Sequence, residues 1–151
     1  MFGKRETKVD PALLRDIVLF RGFSDDELAR VAALADRASA DAGDVLLEQG
    51  RVGTECFVVL EGRAEVYAGD DHLATVGPGA PIGEMALIEH TPRTATVVAS
   101  TPMDLVSFDV KHFRSLLEEM PSARQRLGQL VEERAELLRN RRAASSTEEG
   151  A

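Results

Sequence analysis

Between residues 39 and 109 the sequence breaks into six short runs that are rich in β-branched and aliphatic residues. The runs are DVLLEQG, CFVVLEG, RAEVYAG, HLATVG, TATVVAS and MDLVSF. Each has about the length of one strand, and a turn follows each of them. Six or more strands at this spacing predict a β-sandwich or β-barrel.

Glycines mark the turns between these runs, where a reversal of chain direction often needs a positive φ that other residues resist. The dipeptide Glu61-Gly62 is interpreted as a tight hairpin between its two flanking strands. The turn glycines are Gly43, Gly50, Gly53, Gly62, Gly69, Gly77 and Gly79.

Helical patterns precede the β-rich segment. Asp10-Pro11 predicts a helix start, because a carboxylate at the N-cap and proline at the first helical position both favour one. The sequence from Ser24 to Glu27 is a capping box, which predicts a second helix that runs to about Ala38. The first part of the chain is therefore expected to be helical.

The helical period returns after Asp109 in VKHFRSLLEEM. Pro121 then restarts the chain, and a last helix is predicted from about Ser122 to Arg142. Helices, a β-roll and again helices, without a separating linker, predict an α+β fold with one β core.

Composition restricts the class of protein. A chain of 151 residues with 44% hydrophobic and 29% charged residues has the size and composition of one globular domain. No apolar run approaches the roughly 20 residues that cross a bilayer, and MFGKRETKVD lacks a signal core, so a cytoplasmic location is expected. The single cysteine, Cys56, cannot form an internal disulfide and is expected to be a small core residue.

Charge restricts the partners. The net charge of −8 would repel phosphodiester backbones and anionic lipid, so neither nucleic acid nor a membrane is expected as a direct partner. A small anionic ligand is still compatible with this surface, because salt screens the global field beyond about 8 to 10 Å. Metal binding is not expected, since His72, His90 and His112 lie far apart in sequence and show no ligand spacing.

The segment GPGAPIGEMALIEHTPR interrupts the strand pattern. Gly83 permits a close approach of the backbone, Glu84–Ile88 can form a turn or two of helix, and Pro92 extends the chain again before Arg93. Free amides at a helix start, together with an arginine, suit a phosphate group. Glu84 would repel that phosphate, so it is expected to accept hydrogen bonds from sugar hydroxyls. Phosphate and sugar hydroxyl together describe a nucleotide.

The stretch GEMALIEHTPRTATV resembles the phosphate-binding cassette of the cyclic nucleotide-binding domain family. LFRGFSDDELARVAALA resembles the family's N-terminal helical motif, and AGDVLLEQGRVGTECFVVLEGRAEVY resembles its first β half. The resemblance implies a β-jelly-roll, or double-stranded β-helix, flanked by helices. The implied parts are helices at 10–38, a β-roll at 39–109 with the cassette at 82–96, helices at 110–142, and flexible tails at 1–9 and 143–151.

The family's binding roles can be carried over by position. The resemblance implies that Arg93 pairs with the oxygens of the cyclic phosphate and that Glu84 accepts the ribose 2′-hydroxyl. Thr94 is implied to face the purine. Backbone contacts to phosphate or ribose are implied for Gly83, Met85, Ala86, Leu87 and Ala95.

The resemblance favours cAMP as the ligand and leaves cGMP as an alternative. Threonine at position 94 occurs in cGMP-selective members and in channels that accept both nucleotides, whereas the Glu-Met-Ala-Leu-Ile turn with Pro-Arg looks most like cAMP-binding cassettes. The chain departs from the family at Ile82, where an aromatic residue is common, and this should change packing under the cassette more than ligand contacts. No metal or other cofactor is implied.

The implied function is that of a cyclic nucleotide sensor or regulatory module, and not of an enzyme. Nine residues after Arg142 are too few for a DNA-binding helix-turn-helix, so the domain is expected to stand alone and to act on an unknown protein effector. Two alternatives stay open. One is a degenerate domain that serves as an interaction or dimerisation unit, and the other is a subunit or fragment of a regulator of transcription or transport.

The role of the last helix also stays open. Its apolar residues could line the core, form the seam of a homodimer, or form a lid over the purine, and a bound ligand would then shift the position of the C-terminal helices. These residues are Leu127, Leu130, Val131, Leu137 and Leu138.

Overall fold

A computed structural model describes residues 5–6, 9–83, 93–130, 132–133 and 136. These residues form two antiparallel sheets with helices packed against one of them. The predicted α+β class with a β-jelly-roll core is confirmed.

Nine strands lie in the described part of the chain. They are β1 (Arg5–Glu6), β2 (Ala35–Ala40), β3 (Val45–Leu47), β4 (Glu55–Glu61), β5 (Ala64–Ala68), β6 (Asp71–Val76), β7 (Pro81–Ile82), β8 (Thr96–Ala99) and β9 (Met103–Asp109). One sheet has the order β1-β2-β9-β4-β7, and the other has the order β3-β8-β5-β6. All six runs predicted from the sequence are strands, and they correspond to β3, β4, β5, β6, β8 and β9.

The helical elements lie before and after these sheets. They are two 3₁₀ helices (Pro11–Leu13 and Val18–Phe20), α1 (Asp25–Ala33), α2 (Val110–Glu118) and the start of the last helix, α3, at 121–130. The capping box is present, since the Ser24 hydroxyl accepts from the Glu27 amide and Glu27 accepts from the Ser24 amide. None of the helices in the described ranges has the length and apolar composition of a membrane-spanning segment.

The two central strands β4 and β9 are buried on both faces. Phe57 and Leu105 point into a core between the sheets, which we call the inter-sheet core, whereas Val58 and Phe108 point into a second core beneath the helices, the helix-side core. Strands covered on both faces have continuous apolar runs instead of alternation, and this explains the sequence CFVVL. The inter-sheet core also contains Ala38, Ala40, Leu46, Val59, Ala64, Val66, Ala68, Leu73, Ile82, Val97, Ala99 and Met103.

The helix-side core contains residues from both the N-terminal and the C-terminal part of the described chain. The Phe108 ring packs edge-on against those of Phe20 and Phe113, with centroids 5.8 and 5.1 Å away. From α3, Ala123 and Leu127 are buried in the same cluster. For Leu127 the core interpretation of the last helix is therefore confirmed, whereas Leu137 and Leu138 and the side chain of Val131 lie outside the described residues.

The N-terminal segment differs from the expected helix in two places. Asp10 does accept a hydrogen bond from the Ala12 amide, at 2.9 Å, but the helix it starts is a 3₁₀ turn, and Ile17 is extended. The adjacent residues Leu19 and Phe20 are both buried, which a single amphipathic helix face does not readily achieve. The predicted flexible tail 1–9 also contains β1, which pairs with β2.

The predicted extension of the second helix to Ala38 is wrong. Helix α1 ends at Ala33, and Ala35–Ala40 is strand β2, so the β-roll begins at residue 35 and not at 39. The alanines of this segment favour a helix locally, but six residues pair with β9, and Ala35, Ala38 and Ala40 are buried. Tertiary pairing thus overrides local propensity.

The Glu61-Gly62 hairpin is also wrong. Strand β4 belongs to the five-stranded sheet and β5 to the four-stranded one, so the chain turns a corner between sheets at Gly62. Gly62 has φ +94, and a Cβ there would lie well under 3.0 Å from the Pro102 carbonyl oxygen. The two-residue hairpin is Gly69-Asp70, which connects the paired strands β5 and β6.

Glu65 on β5 contacts side chains of β6 and of Ser100, the residue that follows β8. Its carboxylate accepts from Thr75 Oγ1 at 2.5 Å and from Ser100 Oγ at 2.7 Å, and His72 Nε2 lies 2.8 Å from Oε1. These contacts, led by the Thr75 hydrogen bond, lower the pKa of Glu65 from 4.5 to about 2.

Glu65→Gln is expected to lower the urea midpoint of unfolding at neutral pH, because a neutral amide with a single oxygen cannot keep all three contacts of the charged carboxylate. A lowered folded-state pKa stabilises the fold above the unfolded-state value, and this contribution is lost as the pH falls from 4.5 towards about 2. The difference in urea midpoint between the wild type and the variant should therefore shrink over that range. Glu61→Gln, at the exposed end of β4, is the control, and a difference independent of pH would contradict the assignment.

Candidate functional site

Arg93 lies three residues before the start of β8, and its side chain points into the protein. Only 8% of the residue is exposed. Nη1 donates to the Gly83 carbonyl oxygen at 3.1 Å, and Nη2 donates to the Glu55 carbonyl oxygen. The buried guanidinium is thus held by main-chain oxygens from two segments that are distant in sequence.

The backbone of Arg93 is fixed as firmly as its side chain. Its amide donates to the Arg51 carbonyl oxygen at 2.7 Å, and its own carbonyl oxygen accepts from the Gly50 amide at 2.8 Å. The β3–β4 loop, residues 48–54, and the first residue of β4 therefore contact both the main chain and the guanidinium of Arg93.

Two glycines flank the guanidinium. A Cβ at Gly53 would lie well under 3.0 Å from the Nε, Nη2 and Cζ atoms of Arg93, and a Cβ at Gly83 would lie 2.9 Å from Nη1. Gly83 also has φ +79, whereas Gly53 does not have a positive φ. Sequence reasoning placed Gly53 only among the turn glycines, and no local pattern marks its proximity to Arg93.

The loop that surrounds Arg93 is tied to neighbouring strands. The Gln49 amide donates to Thr96 Oγ1 at 3.0 Å, and the Gln49 side chain accepts from the Gly69 amide at 2.7 Å. These bonds connect the loop to β8 and to the β5–β6 hairpin, so the loop has a defined position relative to Arg93.

The predicted site residues divide into those that the structure describes and those that it does not. Gly83 and Arg93 are in direct contact, Thr94 is exposed beside them, and Ala95 packs against the inter-sheet core. Ile82 is buried in β7 opposite Phe57, which agrees with a packing role. Glu84, Met85, Ala86 and Leu87 lie outside the described residues.

This geometry suits an anion. A guanidinium stays charged at any physiological pH, and its planar fork of donors matches two phosphate oxygens. The main-chain carbonyls that orient the fork carry only partial charges, so phosphate oxygens are stronger acceptors for it. The site can therefore orient a phosphate group.

Other residues considered from the sequence lie elsewhere. Cys56 is buried in the helix-side core, as expected. His72 lies on the outer side of β6, His112 is near the start of α2, and His90 is outside the described residues. Within the described ranges no group of three or more His, Cys, Asp or Glu residues could hold a metal ion.

Solved structures share this fold. A cyclic nucleotide-binding domain from Methylobacillus flagellatus KT is 30% identical, with a TM-score of 0.69, and the match covers 86% of this chain and 78% of that one. The N-terminal domain of a transcriptional regulator from Streptomyces coelicolor A3(2) is 29% identical, with a TM-score of 0.69 and coverage of 82% and 92%. CBD2 of PKAR with Sp-2Cl-cAMPS bound is 25% identical, with a TM-score of 0.72 and coverage of 85% and 86%.

A family model gives the same assignment. The model of the cyclic nucleotide-binding domain matches residues 37–120, which is more than half of the chain. The matched segment includes the β3–β4 loop, Gly83 and Arg93. The chain therefore belongs to the cyclic nucleotide-binding domain family.

Proposed function

We propose that the chain binds a 3′,5′-cyclic nucleotide, with cAMP preferred over cGMP, and acts as a sensor or regulatory module. The buried guanidinium of Arg93, held by the carbonyls of Gly83 and Glu55, is the observation that carries this proposal. It offers one fixed positive fork for one phosphate in a protein whose net charge of −8 disfavours long phosphodiester chains.

The remaining contacts are proposed from the family pattern. Glu84 would accept the ribose 2′-hydroxyl, and Gly83, Met85, Ala86, Leu87 and Ala95 would offer backbone groups to ribose or phosphate. The neighbour with Sp-2Cl-cAMPS bound supports a cyclic nucleotide of the cAMP type. A cytoplasmic location agrees with this ligand.

The proposed output is a change in the position of the C-terminal helices. In support, α3 is attached to the N-terminal segment through Arg126, whose guanidinium lies 5.5 Å from the Phe23 ring centroid and 3.8 Å from Glu27. Leu127 shares the helix-side core with residues of α1 and α2, so a movement of α3 would change the packing of both of these helices. The proposed recipient is a protein effector, or a second copy of the chain that docks on the last helix.

Calorimetric titration of ligand-stripped protein with cAMP and with cGMP tests this function. Binding of cAMP at micromolar concentrations or tighter, and more tightly than cGMP, is the expected result. Tighter binding of cGMP would correct the preferred base. Heat from neither nucleotide would overturn the proposal and favour the degenerate interaction domain.

The same titration on the variant Thr94→Ala tests whether residue 94 discriminates between adenine and guanine. Thr94 is exposed next to Arg93, and its hydroxyl is proposed to accept a hydrogen bond from the exocyclic amino group of guanine. Loss of one such hydrogen bond is expected to weaken cGMP binding by about 2- to 10-fold and to leave cAMP binding nearly unchanged. Equal losses for both nucleotides would show that Thr94 does not discriminate between the bases.

A further inference from the structure

We propose that Gly53 is a positioning residue for Arg93, because its missing side chain supplies the space that the guanidinium occupies. The consequence for ligand binding rests on the proposed function. The packing role rests on the structure alone and can be tested without a ligand.

The close approach is the first observation. A Cβ at Gly53 would lie well under 3.0 Å from three atoms of the Arg93 side chain, and these are the nearest heavy atoms to that position. Such separations are essentially never seen for real Cβ atoms. A methyl group at residue 53 and the guanidinium in its observed place are therefore mutually exclusive.

Backbone conformation does not account for a glycine here. Gly53 lacks the positive φ found at Gly50 in the same loop and at Gly83 across the guanidinium. Alanine is thus compatible with the backbone of residue 53, and the space beside Arg93 is what requires glycine.

The side chain of Arg93 can yield to an added methyl group more easily than the backbone can. The clash involves the far end of a flexible side chain, so Gly53→Ala is expected to displace the guanidinium and leave the strands in place. Displacement breaks its hydrogen bonds to the Gly83 and Glu55 carbonyl oxygens. The chain would stay folded, but the fork would no longer point where the phosphate binds.

The experiment is a double-mutant cycle of Gly53→Ala and Arg93→Ala, read by cAMP calorimetry and by urea denaturation. We expect Gly53→Ala to weaken cAMP binding by about 10- to 150-fold, the range for losing a charge-assisted hydrogen bond. In the Arg93→Ala background it should cause no further loss. It should lower the urea midpoint in the wild type, but leave it unchanged or raise it where the guanidinium is absent.

Gly77→Ala is the matched control. Gly77 also lacks a positive φ, and a Cβ there would lie 3.9 Å from Arg63 Cγ and 4.0 Å from the Gly62 carbonyl oxygen, its nearest neighbours. Both separations are ordinary van der Waals contacts, so the added methyl group displaces nothing. This variant should bind cAMP and unfold like the wild type.

Two results would overturn the proposal: wild-type affinity in Gly53→Ala, or equal losses of urea midpoint in both backgrounds. Absence of cAMP binding by the wild type would overturn the proposed function instead. The urea cycle would then still decide the packing role of Gly53, since it needs no ligand.

Discussion

Arg93→Ala is expected to weaken cAMP binding by about 100-fold or more, because the proposed bidentate contact to phosphate combines two charge-assisted hydrogen bonds. Calorimetry on the wild type and the variant measures this loss. Thermal unfolding without ligand checks the fold, since the carbonyls of Gly83 and Glu55 also lose a donor. Arg93→Lys keeps the charge but not the planar fork of donors, so its affinity for cAMP should lie between those of the wild type and Arg93→Ala.

Arg51→Ala is the matched control for charge. Arg51 lies in the β3–β4 loop, and its side chain is 77% exposed and paired with Glu48. The substitution removes the same charge from the neighbourhood of the site but no buried donor, so affinity should stay within about 2-fold of the wild type. Similar losses in Arg51→Ala and Arg93→Ala would show that only the general field attracts the ligand, and would contradict a phosphate contact at Arg93.

Gly62→Ala is expected to destabilise the fold by about 2 to 6 kcal/mol, since it combines left-handed backbone strain with a clash that cannot relax. The obstructing groups are the Pro102 carbonyl oxygen and the Cα of Met103, both of which belong to the main chain entering β9. Urea denaturation measures the change in the free energy of unfolding. A loss of this size is a large fraction of the stability of an ordinary domain.

Gly43→Ala separates the two contributions. Gly43 has the same φ of +94 as Gly62, but a Cβ there would meet nothing within 4 Å. It should cost only the backbone strain, about 1 to 3 kcal/mol. Equal costs at Gly43 and Gly62 would show that the close packing of the corner at Gly62 contributes nothing to stability.

The elements that the sequence predicts correctly are those whose signal is local. Six strands follow from runs of strand-forming residues, and the start of α1 follows from the capping box at Ser24 and Glu27. Strand β2 has no such signal, because ADRASA lacks β-branched residues and becomes a strand through its pairing with β9 and β1. Strand β7 is missed for a similar reason, since its two residues are set by pairing with β4.

Local sequence patterns do not show which segments of the chain pair or pack with each other. A glycine after a strand predicts a change of direction, but not whether the next strand pairs with the last, and this is why Gly62 was expected in a hairpin. The same limit applies to the site. Arg93 and Gly83 follow from one continuous motif, whereas Gly53 and the Glu55 carbonyl reach Arg93 only through the fold.

The two faces of β4 and β9 line two different cores, so side chains can be substituted in one core without changing the packing of the other. Phe57 belongs to the inter-sheet core, against which Leu47 beside Gly83 also packs, while Val58 belongs to the helix-side core. Substitutions beneath the helices can therefore accumulate over generations while the surroundings of Arg93 are retained. Proteins with this fold can therefore differ in what their helices contact and still keep the same arginine site, because adjacent residues of β4 pack into different cores.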